Sequence, residues 1–225
     1  MSYLLLQREI EQASKKKVKL KINDNRSTML SVKWEPDCTK VSMHRLFLEA
    51  PKNIMDALAC HIGHKNSDVA PSVKAYIEDK LKHLDYSDTI DKAKLVTEGD
   101  YYDLLQLYTA IEEEYFPDEE LNLNITWFGS KLLRRRSRLT FGLYHQPLRL
   151  IKINKMMDSE RFPPYFVEYV VFHEMLHHIC PSYYDGSGKH CVHTREFKAR
   201  EKEFKYYGEA KKWLKANTPK LFEQC

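Results

Sequence analysis

Glycine is scarce in this chain, seven residues in 225, and proline numbers only nine. So few chain breakers leave little room for turn-rich β architecture and favour helices joined by short connections. No apolar run approaches the roughly 20 residues needed to cross a bilayer, so no membrane partner is expected. The first residues carry no basic segment and turn polar after Leu6, unlike a secretory signal. Cysteine is sparse and odd in number: Cys38, Cys60, Cys180, Cys191 and Cys225, without a C-x-x-C pair. That excludes a disulfide framework and points to a reducing, cytoplasmic setting. What is present suffices for a folded core, since 43% of residues are hydrophobic and 12% aromatic. The formal charge of +4 is mild and excludes a strongly polyionic protein.

The chain is organised around Phe172-His173-Glu174-Met175-Leu176-His177-His178, which contains the pattern H-E-x-x-H. With 10 His and 19 Glu in the chain, composition alone would produce this pattern roughly 0.04 times. On a helix, His173 and His177 lie four residues apart on one face. Two imidazoles so placed can share one metal ion of zinc's size, at about 2.0–2.1 Å. Glu174 then flanks the metal, where its carboxylate can act as general base toward a water molecule. The preceding Tyr165 to Phe172 is apolar almost all round, which predicts a buried helix. Buried histidines require partners, and a metal is one such partner.

Further elements follow from periodicity. A short helix is expected over residues 2–14, then a strand near Lys15–Ile22 forming a hairpin with Ser27–Trp34, and Val41 to Leu48 continuing that sheet. The basic run Lys15–Lys21 reads as a solvated strand face, with nucleic-acid contact as the alternative. Helices are expected from Pro51 to Gly63 and from Pro71 to Leu84. His61 and His64 read as surface or capping residues. The polar stretch 85–99 is the candidate boundary, giving an N-terminal accessory region (1–95, hairpin plus helices) and a C-terminal domain (96–225). There a helix from Asp100 toward Pro117 precedes three strands, at 121–127, 139–144 and 148–153. Pro163-Pro164 opens the motif helix, which stops by Pro181, and a last helix runs from His193 or Thr194 to about Ala216. No internal repeat is visible. Between the first two of those strands, Lys131 with Arg134, Arg135, Arg136 and Arg138 reads as a solvated loop or, alternatively, a phosphate-binding patch that contacts nucleic acid.

A catalytic zinc takes three protein ligands and leaves one position open. Candidates for the third are His178, Cys180, His190, Cys191 and His193. His178 is rotated about 100° from His177 and faces away. His193, four residues before Phe197 at the start of the last helix, ranks first, His190 second and Cys191 third.

His173-Glu174-Met175-Leu176-His177 followed by His193-Thr194-Arg195-Glu196-Phe197 resembles the SprT-like zinc metallopeptidases, which carry H-E-x-x-H and then a third His in an H-x-x-x-F setting. The resemblance covers roughly the C-terminal half. It implies an α+β fold with a compact zincin-like domain: helix, three-stranded sheet, H-E-x-x-H helix and closing helix, here preceded by an N-terminal α/β accessory region. It implies His173, His177 and His193 as ligands of Zn2+, Glu174 as catalytic base, and a protein or peptide substrate. Thr194 stands where the family usually has Gly. Some members cut proteins attached to DNA and carry a C-terminal zinc ribbon; after Cys191 this chain has only Cys225. For the oxyanion, Tyr183, Tyr184 and His190 are the candidate donors. The rival reading is a non-enzymatic adaptor, its zinc closed by Cys180, Cys191 or His190 and its basic patch binding nucleic acid or an acidic partner.

Overall fold

The computed structural model describes residues 3–25, 28–65, 67–130, 139–185 and 189–223, and it is a mixed α+β structure. Contacts divide it into two units: residues 1–84 with 183–191, and residues 85–182 with 192–225. The sequence pattern puts the junction eleven residues later, within the polar stretch 85–99. Among the described residues no helix is long and apolar enough to cross a membrane.

The first unit opens with α1 (Tyr3–Ser14), then β1 (Val18–Asn23), β2 (Leu30–Trp34) and β3 (Thr39–His44). The expected hairpin between the first two strands does not form. β3 lies between them, parallel to β1 and antiparallel to β2. Alternation identifies strands but not partners, and here the central place goes to the strand with the most buried positions, Thr39, Val41, Met43 and His44. Leu46 to Leu48 leave the sheet and form a 3-10 turn, Arg45–Glu49, instead of extending β3. α2 (Lys52–Gly63) and α3 (Pro71–Leu81) follow, each starting at or just after a proline. Leu6, Ile10, Leu20, Val41, Met43, Leu58 and Ile62 form the core of this unit. His61 belongs to this buried set rather than to the surface: its ring meets Trp34 edge-on and its Nδ1 is 3.1 Å from the Ser67 hydroxyl.

In the second unit Asp103 caps α4 (Leu104–Tyr115), accepting from the Leu105 and Gln106 amides. β4 (Asn124–Phe128), β5 (Gly142–His145) and β6 (Leu150–Asn154) repeat the connectivity of the first sheet. The third strand is central, parallel to the first and antiparallel to the second. A shared helix–three-strand–helix order therefore underlies both units, although no repeat shows in the residues. α5 (Pro164–Ile179) carries the motif, opened by Pro163 and Pro164 and ended at Cys180 ahead of Pro181. Phe166, Val167, Val170, Val171 and Phe172 bury it within one core with α4, β4 and β6. That packing offsets the weak helix propensity of its valines.

β7 (Tyr183–Tyr184) and β8 (His190–Cys191) pair with each other and group with the first unit. Thr194 then caps α6 (Arg195–Glu201), its hydroxyl accepting the Phe197 amide at 3.0 Å. The expected single last helix is broken by turns between Glu201 and Tyr207, and α7 (Tyr207–Glu223) continues past Ala216 with Pro219 inside it. Phe204, on the turns, packs against Phe172 and Tyr169, so burial of this ring takes the place of continuous helix.

Candidate metal centre

Helical spacing on α5 brings His173 and His177 together, and the chain returns to place His193 just before α6. The three ring centroids form a nearly equilateral triangle, with sides of 5.0, 5.0 and 5.1 Å. One ligating nitrogen from each ring lies within 4.8 Å of the others. Tetrahedral ligation at about 2.0–2.1 Å needs donors roughly 3.3 Å apart, so small side-chain rotations close the gap. Among the described residues this is the one group of three or more His, Cys, Asp or Glu so gathered. Phe197 forms its floor: fully buried, it lies 4.7–4.9 Å from all three imidazoles, centroid to centroid. Three imidazoles over an aromatic floor are a donor set suited to zinc.

Glu201, Tyr169 and Lys211 form a hydrogen-bonded chain behind His173. The carboxylate of Glu201, at the end of α6, accepts from Nδ1 of His173 at 2.8 Å and from the Tyr169 hydroxyl at 2.6 Å. Lys211 on α7 donates to the Tyr169 oxygen at 2.9 Å and lies 3.5 Å from Glu201. With Nδ1 committed, Nε2 of His173 is left as the nitrogen that can ligate. Burial acts to raise the Glu201 carboxyl, but the hydrogen bonds from His173 and Tyr169, with the charges of His173 and Lys211, hold it at about 2. Burial, reinforced by the neighbouring His173 and His193, lowers His177 to about 3, and burial lowers His193 as well. Such rings are neutral at physiological pH, the form a metal requires.

Glu174 is 6% exposed. Burial pushes its carboxyl up to about 7, against the pull of His173 and of the Tyr144 amide that donates to it. A cation in the cluster would lower it again. The Tyr144 contact follows from sheet register. Phe141 accepts from the Asn154 amide, so Leu143 and His145 face β6 while the main chain of Gly142 and Tyr144 faces away from it. Gly142 makes the close approach possible, since a Cβ there would sit 2.5 Å from Oε1 of Glu174.

The remaining candidates lie elsewhere. His178 turns from the triangle and shares a 2.7 Å hydrogen bond with the Tyr144 hydroxyl. Cys180 is buried at the end of α5, its thiol pushed up chiefly by burial. His190 and Cys191 sit on β8, and Tyr183 and Tyr184 on β7, in the first unit. There Tyr184 stacks on His190 at 4.6 Å, and Nε2 of His190 is 3.4 Å from Glu78. Arg134, Arg135, Arg136 and Arg138 lie outside the described residues, as does Cys225. Glu201, Tyr169, Lys211 and Gly142 are not singled out by any motif in the sequence. His193, Phe197 and Glu201 recur every four residues, which was the available signal for the first of these.

No family model, curated protein or solved structure matches the chain.

Proposed function

We propose that the chain is a zinc-dependent peptidase of the SprT-like kind, its second unit arranged as a zincin. The observation that carries this reading is the triangle of His173, His177 and His193 beside a buried Glu174 held by the Tyr144 amide. In this reading the three imidazoles hold Zn2+, and His173 does so through Nε2. When bound, zinc lowers the pKa of a water ligand toward 7 and polarises a carbonyl oxygen. Glu174 takes a proton from the attacking water on its carboxylate and delivers it to the departing amide nitrogen. β5 is an edge strand of its sheet, and in this reading an extended substrate peptide lies along that edge. A closed adaptor site would need a fourth protein donor. The described residues contribute three, which supports an open position.

The test is Glu174→Gln in the full chain, assayed against a quenched-fluorescent peptide library. Zinc content should remain at the wild-type level while hydrolysis falls by at least about a hundredfold. Hydrolysis at the wild-type rate would exclude the role given to Glu174.

A further inference from the structure

The sheet of the first unit has two unlike faces. Val18, Leu20, Val41, Met43, Leu30 and Val32 point to the core side. On the other side stand Lys19 and Lys21 of β1, Lys40 and Ser42 of β3, and Ser31 and Lys33 of β2. The register sets Lys19 beside Lys40 and Lys40 beside Lys33, so three ammonium groups form one row across the sheet. Lys21 follows two residues along β1, beside Ser42, and Lys17 is exposed at the strand's start. Adjacent strands are about 4.8 Å apart, and like charges directly opposite one another destabilise a sheet. The chain therefore carries a local cost that solvation alone does not require. Glu35 offsets part of it, at 3.2 Å from Lys33 and 2.8 Å from Lys40. Among the described residues no carboxylate pairs with Lys17, Lys19 or Lys21.

We propose that this lysine face binds the phosphodiester backbone of nucleic acid without reading its bases. Lysines are compact point charges suited to phosphates, and the described residues of this face include no Arg for bidentate base contacts. It has no aromatic ring for stacking bases, because Trp34 belongs to the opposite side. It also has no apolar side chain to enter a lipid layer, which sets a membrane surface aside. The site is carried by the first unit and is independent of the metal reading.

The experiment is fluorescence anisotropy of the full chain with two labelled duplexes of equal length and unrelated sequence. Both should bind alike. With about four phosphate contacts, affinity should fall roughly 150-fold from about 50 to 200 mM salt. The Lys19→Gln, Lys21→Gln, Lys33→Gln, Lys40→Gln variant should bind at least about tenfold more weakly with a shallower salt dependence. The corresponding four Lys→Arg changes should preserve binding. Should the Gln variant fail to melt cooperatively, Lys19→Gln with Lys21→Gln, which removes no ion pair, carries the same comparison. Absence of duplex binding, or binding only to phosphatidylserine vesicles, would overturn the proposal. So would a Gln variant that binds like wild type, or a loss seen only on replacing Arg134, Arg135, Arg136 and Arg138.

Discussion

Nδ1 of His173 lies 2.8 Å from Oε1 of Glu201, 28 residues further along the chain. This contact ties α5 to α6 and fixes which nitrogen of the ring faces the cluster. Partners of this kind alter metal affinity by about 10–100-fold when removed. Glu201→Gln is therefore expected to weaken zinc binding by about that factor in a chelator competition, with the fold retained. Unchanged affinity would show that the carboxylate does not orient His173.

Gly142→Ala tests the approach of β5 to the motif helix. The added carbon meets the Glu174 side chain, at Oε1 (2.5 Å) and Cγ (2.7 Å), rather than backbone, so the helix can stay in place only if the whole side chain turns aside. The variant should fold and hold zinc, with peptide hydrolysis reduced by about a hundredfold, the scale on which a misplacement near 1 Å acts. Full activity would mean that Glu174 works from a different position.

Phe197→Ala removes the floor beneath all three imidazoles. A buried Phe→Ala change costs about 3–5 kcal/mol, and here the cavity opens directly under the ligands. Chemical denaturation should show that loss, together with weakened zinc binding. A variant as stable as wild type would contradict the packing described.

Acidification of the metal-free protein should destabilise it. Burial keeps His44, His145, His178 and His193 below their ordinary range and His177 at about 3, so the unfolded chain is protonated first. Their contribution is present above the unfolded value of 6.5 and is lost as pH falls below it. Burial raises Glu168, and Glu174 to about 7, and these oppose the loss until pH falls to the unfolded carboxyl value of 4.5. Below 4.5, Glu201, held at about 2, adds to the loss. Urea midpoints in chelator should drop between about pH 4.5 and about pH 3, where Glu174 is protonated in both states and His177 and Glu201 still lose stability. An equal or higher midpoint at the lower pH would contradict the burial of these rings.

The sequence made local features legible where one residue type has one physical meaning. Pro163-Pro164 and Pro181 bracket α5, and four-residue spacing pairs His173 with His177. The apolar run from Tyr165 to Phe172 marks the helix as buried. Thr194 enters α6 through an ordinary side-chain cap. Pairing between strands was not legible, because β1 and β2 alternate equally well whether or not they are neighbours. The matching order of the two sheets was hidden for the same reason. Phe204 has the spacing of a continuing helical face, yet it is buried from a turn. Gly142 acts through a long-range contact with Glu174 that no local pattern encodes, and Glu201 shows only in its four-residue spacing from Phe197 and His193.

The most direct test of the account is zinc X-ray absorption on the full chain loaded with one equivalent of the metal. The account predicts three imidazole nitrogens at about 2.0–2.1 Å plus one oxygen from solvent, a pattern lost in His193→Ala. A sulfur scatterer near 2.3 Å, a fourth imidazole, or no stoichiometric binding would contradict it.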